Sequence, residues 1–134
     1  MRQLISMLAL AACPAFAAAG TIPTRTPVGS FPIAPSKAIT HVELTRVDFL
    51  PGQQMPEHMH PVPVICFVIR GSFLVSIGAS PVRRVDVGDT TLEPAGIIVH
   101  YFRNLTKDPA QLDCASLAGP DDKVLSVMLD AANK

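Results

Sequence analysis

Apolar and polar positions alternate with a period of two along most of the chain beyond residue 38, the spacing of half-buried strands. Ile39 to Phe49 carries Val42 and Leu44 on one parity and Val47 and Phe49 on the other, a switch that predicts a bulge or a strand buried on both faces. Val64–Ile69 is closed by Gly71, Ser72–Ile77 by Gly78, and Val82–Val87 by Gly88-Asp89. Thr90–Glu93 runs into Pro94-Ala95-Gly96, Ile97–Phe102 stops at Asn104, and Gln111–Leu117 is the last such run. Short strands punctuated by turn residues predict an all-β sandwich or barrel. The tail breaks the pattern. Asp121-Asp122 is placed to cap a short C-terminal helix whose apolar face is Val124, Leu125, Met128 and Leu129, a packing or dimer element.

The first twenty residues read differently. Arg2 precedes an apolar run from Leu4 to Ala12, and Ala15-Phe16-Ala17 or Ala17-Ala18-Ala19 fits the small-x-small cleavage rule of a secretory signal peptide. The run is too short to span a bilayer. Leu10-Ala11-Ala12-Cys13 also fits a bacterial lipobox, with Cys13 the lipidated residue, although Pro14 follows it directly. Both readings place the chain outside a bacterial cytoplasm, periplasmic or secreted, or anchored at Cys13. Residues 20–37, with Pro23, Pro27, Pro32 and Pro35, read as an extended arm. The expected organisation is a signal peptide over 1–19, a Pro-rich arm over 20–37 and a barrel over 38–134.

Composition narrows the function classes. Of 134 residues, 49% are hydrophobic and only 16% charged, with 11 Lys+Arg against 11 Asp+Glu. That is enough apolar surface for one core, and there is no basic stripe for phosphate contacts, so nucleic acid is not an expected partner. No transmembrane segment is expected in the mature chain. No Ser/His/Asp arrangement and no Gly-rich loop opening a helix is present.

The histidines carry the chemistry. His58 and His60 are two residues apart, so on a strand they face the same way and can lean onto one ion. His100 lies within the apolar run Ile97–Phe102. A buried histidine is also a common hydrogen-bonded core residue, and on these residues alone both readings stand. The glycine and proline spacing adds a resemblance. Gly52, five residues, His58-Met59-His60, three residues, Val64, six residues and Gly71 match the first motif of the cupin superfamily, G-x5-H-x-H-x3,4-E-x6-G, except that Val64 occupies the Glu position. Gly88, five residues, Pro94-Ala95-Gly96, His100 and Asn104 resemble the second, G-x5-P-x-G-x2-H-x3-N, with three residues rather than two before His100. The motifs occupy 52–71 and 88–104.

This resemblance implies a small cupin barrel or jelly roll with one divalent metal ion held by His58, His60 and His100. Val64 cannot ligate, so the site is expected to be three neutral imidazoles with open positions, and an anionic bidentate substrate would supply the missing charge. Three-His cupins resembling this include thiol dioxygenases and diketone-cleaving dioxygenases, which use Fe(II); Fe(II) is thus favoured, with Zn, Mn, Ni or Cu as alternatives. The extra residue before His100 calls for a bulge to aim that ring inward. Gln54 and Cys66 are candidate fourth ligands, and Val64, Cys66 and Phe102 would shape the pocket. Cys66 has two further readings: core filler, or one half of a disulfide with Cys114. Glu57 is expected to face outward. Three functions follow: an oxygenase-type enzyme acting on a small organic molecule, a non-catalytic module that binds a metal or small ligand, and a metal-free barrel. The resemblance also implies a homodimer.

Overall fold

The computed structural model describes residues 25–33 and 37–129; the predicted signal peptide, with Cys13, lies outside the described residues. Among the described residues ten strands form: β1 (His41–Phe49), β2 (Gln54–Met55), β3 (His58–Met59), β4 (Val64–Arg70), β5 (Ser72–Ile77), β6 (Arg83–Asp86), β7 (Thr90–Glu93), β8 (Ile98–Asn104), β9 (Ala110–Ala118) and β10 (Val127–Met128). One sheet runs β1-β9-β4-β7 and the other β10-β3-β8-β5-β6, with β2 also on β8, and every pairing is antiparallel. The all-β expectation holds.

Between the sheets the apolar parities meet. Phe49, Phe73 and Phe102 come from three strands, with ring centroids 5.1, 5.4 and 6.1 Å apart, and Val68, Val75, Val85, Val99 and Leu112 close around them. The parity switch in β1 needs no bulge. Its register with β9 is continuous from His41↔Ala118 to Phe49↔Ala110. Val47 and Phe49 face inward, while Val42 and Leu44 stay exposed on the outside.

The predicted C-terminal helix does not form. Asp122 Oδ2 accepts from the backbone N of Gly119, upstream of it, at 2.7 Å, and its other oxygen meets Lys37. The carboxylate therefore ties a turn instead of capping a helix ahead of it. Beyond that turn β10 pairs with β3, Val127↔Met59 and Met128↔His58, and the Leu129 N–H donates to Glu57 O at 2.8 Å. Strand β3 has only β8 on its other side, and the tail completes its backbone hydrogen bonds. That long-range pairing outweighs the local helical pattern.

Two motif residues do structural work. Asn104 is fully buried; its amide donates to Leu50 O and Asp108 O, and its Oδ1 accepts from Thr106 N and Oγ1, tying two loops together. Gly71 makes the turn that carries the chain from β4 in one sheet to β5 in the other, at φ +87°, and a Cβ there would lie 2.5 Å from Ala110 Cβ. Gly88 has a similar φ of +93° but open space around it. Gly71→Ala combines backbone strain with a clash against buried Ala110 and should cost about 3 kcal/mol, whereas Gly88→Ala should cost about 1 kcal/mol, strain alone. Urea unfolding of the two variants checks the order.

Candidate metal centre

The two sheets enclose a cavity of about 230 Å³. Its wall is mainly apolar, with Val47, Phe49, Met55, Val64, Phe102 and Leu112 among the lining residues. His58, His60 and Glu93 converge at one side, and one donor atom from each lies within 4.8 Å of the others. Glu93 Oε2 is 2.8 Å from His60 Nε2 and 3.8 Å from His58 Nε2. Two donors at about 2.0–2.1 Å from one ion can be at most about 4.2 Å apart, so both contacts suit a shared ion.

The backbone sets how the rings point. His58 Nδ1 donates to Pro56 O at 2.9 Å, and His60 Nδ1 donates to Leu125 O at 2.5 Å. With Nδ1 committed to a backbone acceptor, Nε2 of each ring is the nitrogen that faces Glu93 and would ligate a metal once its proton is gone, the arrangement in which a neighbouring acceptor fixes the tautomer of a ligating imidazole. The rings stand nearly perpendicular, at 88°. The carbonyl that orients His60 belongs to the tail, so the segment expected to be a helix instead builds the site. The His60 carbonyl in turn accepts from Gly96 N at 2.8 Å, which ties it to the turn after β7.

Glu93 is 2% exposed. Burial pushes its carboxyl up, but hydrogen bonds from His58 and His60, together with their charge, outweigh that and hold it below the usual carboxylate range. Burial likewise opposes charge on His60. The bond to Glu93, the Leu125 carbonyl and the Glu93 charge prevail and raise that imidazole above its ordinary value. Each partner thus favours the charged form of the other, and a metal held by these side chains would take the place of the proton on Nε2.

The expected ligand set is corrected at His100. The structure brings His58 and His60 together and leaves His100 at the surface, where its Nδ1 sits 3.0 Å from Glu57 Oε1. The register gives the reason. His58 pairs with Val99, so Val99 shares its inward face and is 1% exposed. The bulge anticipated from the extra residue is present: Ser76 pairs with Tyr101 and Ile77 with Val99, skipping His100. It absorbs the insertion by turning His100 out, with Val99 on the inside. Glu57, expected outside, is partly buried against that ring. Gln54 is exposed and does not line the cavity, because its strand neighbour Met55 takes the inward parity.

Val64, Cys66 and Phe102 are among the residues that line the cavity. The three-imidazole expectation is also corrected, by Glu93. Val64 and Glu93 are direct partners in the β4–β7 register, so the carboxylate missing from β4 is supplied from the position opposite. A readable sign was there: within Thr90–Glu93, the parity of Thr91 and Glu93 faces inward, and a carboxylate on a buried parity needs a partner. Cys66 and Cys114 are joined as a disulfide, also as direct register partners.

Comparison with known proteins agrees with this architecture. Residues 45–116, more than half of the chain, match the family model described as Cupin domain. The chain is 30% identical over 102 residues to Germin-like protein 1-1 of Oryza sativa subsp. japonica, covering 72% of this chain and 45% of that protein. It is 29% identical over 76 residues to a probable germin-like protein, subfamily 2 member 5, of Arabidopsis thaliana, covering 53% of this chain and 35% of that one. The chain thus spans less than half the length of these relatives. Among solved structures, an oxalate oxidase superposes with TM-score 0.58 at 29% identity, over 66% of this chain and 46% of that chain. A double-stranded β-helix protein from Klebsiella pneumoniae, at 18% identity and TM-score 0.57, shares the fold over 73% of this chain and 90% of its own. Fold, motifs and family model agree: the chain belongs to the cupin family.

Proposed function

We propose that this cupin binds one divalent metal ion through His58, His60 and Glu93 and uses it for oxygenase-type chemistry on a small organic molecule held in the apolar cavity. The observation that carries the reading is the pair of Nε2 atoms, fixed by Pro56 O and Leu125 O, facing one buried carboxylate. Two imidazoles and one carboxylate with open positions form a donor set suited to non-haem Fe(II), which supplies electrons to O₂ and Lewis acidity to a bound substrate. Fe(II) therefore stays the favoured metal, with Zn, Mn, Ni or Cu behind it.

The chain's own residues then define the substrate. A divalent ion and Glu93 leave one net positive charge, which a single anionic group with a neighbouring oxygen donor would neutralise. Phe49, Phe102, Val64 and Leu112 would hold an apolar body, and Thr45, Ser116 and Ser126 offer hydroxyls at the wall. Among the described residues, neither Lys nor Arg lines the cavity to balance a second carboxylate. The similarity to an oxalate oxidase accordingly supports the reaction class more than its dianionic substrate. A non-catalytic binding module would need a closed coordination sphere, and three protein donors do not close one.

Metal analysis of the purified chain should find one Fe(II) per chain after anaerobic loading. His60→Ala and Glu93→Gln should lose it, and His100→Ala should keep it. The loaded protein should also give the nitric-oxide adduct spectrum of an Fe(II) centre with exchangeable positions; full metal occupancy with no such adduct would overturn the enzymatic reading.

The same pair predicts the pH response of the metal-free protein. The Glu93 carboxyl lies below its ordinary 4.5, so its contribution is present above that value and lost as pH falls through the lowered one. The His60 imidazole lies above its ordinary 6.5, so its contribution is complete below 6.5 and lost as pH rises through the raised value. Urea unfolding across pH should show the pair most stabilising between 4.5 and 6.5, and Glu93→Gln should flatten the fall on the alkaline side.

A further inference from the structure

The cavity wall beside Glu93 is the Cys66–Cys114 disulfide. Cys66 is 4% exposed and shares the inward face of β4 with Val64, the partner of Glu93. Its Sγ lies 3.7 Å from Glu93 Oε1. Donors held at about 2.0 and 2.3 Å by a tetrahedral ion sit about 3.5 Å apart; the sulfur stands near that distance from Oε1, and once freed from Cys114 its side chain could turn toward Oε2, the oxygen that faces the imidazoles. As half of a disulfide it is uncharged and a poor donor; as a thiolate it is a strong, soft one. A second observation points to the same place. Thr91, the β7 partner of Cys66, is 1% exposed, and its Oγ1 is buried with no hydrogen-bond partner. Register partners share a face, and a thiolate is the kind of acceptor this hydroxyl lacks.

We propose that reduction of Cys66–Cys114 converts the centre from an open two-His, one-carboxylate site into a closed four-ligand site, with the Cys66 thiolate as the added ligand. This rests on the metal centre inferred above. The bridge is open to a dithiol from one side: Cys114 is only half-buried and also lines an outer groove with Leu44, Arg46 and Phe67. One thiolate of the dithiol attacks Cys114 Sγ, the S–S bond breaks, and its electron pair leaves with Cys66 Sγ into the cavity. The dithiol's second thiolate then displaces Cys114, so the dithiol closes to a disulfide, two electrons pass to the protein, and Cys114 takes up a proton. Cys66 keeps its electron pair for the metal. The closed set of two nitrogens, one oxygen and one sulfur suits zinc, whereas the oxidised site keeps positions open for substrate.

Cobalt(II) spectroscopy tests this on the full chain. Oxidised protein should bind Co(II) with visible d–d bands only. A near-ultraviolet sulfur-to-cobalt charge-transfer band should appear on reduction by a dithiol, should be present without reductant in Cys114→Ser, and should be missing in reduced Cys66→Ser. Bound Co(II) without that band in reduced wild-type protein would overturn the proposal and leave the metal centre intact. Failure of Co(II) to bind any form would overturn both. The reduced wild-type measurement makes the result independent of either variant's folding.

Discussion

Antiparallel register is the constraint on which the site depends. Direct partners on neighbouring strands share a face, and in this barrel three such pairs decide what the cavity contains. Val64↔Glu93 puts a carboxylate beside an apolar side chain, His58↔Val99 puts a buried valine on the inward face where a third imidazole was expected, and Cys66↔Cys114 puts a disulfide in the cavity wall. Shifting β4 against β7 by one residue would send Glu93 to the outside and strip the cavity of its charge. The nine-residue β1–β9 ladder and the adjoining β9–β4 ladder hold that register in place.

A carboxylate buried in an apolar cavity is costly without compensation. Here two imidazoles supply it, and each is braced by a backbone carbonyl on its far nitrogen. One of those carbonyls, Leu125, comes from the tail, which reaches the site only because β10 pairs with β3. Completing a short strand and orienting a ligand are therefore a single packing event. In the metal-free protein His60 and Glu93 each favour the charged form of the other; a divalent ion held by the three side chains would take over that role with more charge.

Much of this was legible in the sequence. Period-two alternation located seven of the main strands, and the Gly and Pro punctuation carried the family resemblance. His58 and His60 followed from strand parity, which is a local property. The parts that were not legible depend on pairing between distant segments. Nothing local says that Val64 faces Glu93, and the run ending at Glu93 read only as a strand. His100 failed because an insertion can be absorbed on either side of a bulge, and here the backbone turned the histidine outward and kept Val99 within the core. The tail failed for a similar reason: its helical spacing was real, but β3 offered unpaired backbone groups that the sequence around Val127 could satisfy.

The two departures from the cupin motifs are better understood together than singly. Losing the carboxylate at position 64 alone would leave a neutral site, and losing the inward histidine alone would leave two imidazoles and a charge on β4. With both lost, β3 still presents two rings, and Glu93 restores one negative charge from across the ladder. The rebuilt centre has fewer protein donors than the four of the full motif but the same single negative charge. In the proposed metal centre, three protein donors would leave coordination positions open while Glu93 keeps the charge that holds the ion. On the proposed function, that combination would make the apolar half of the cavity chemically useful, since a substrate could reach the metal while its carbon skeleton stayed out of water.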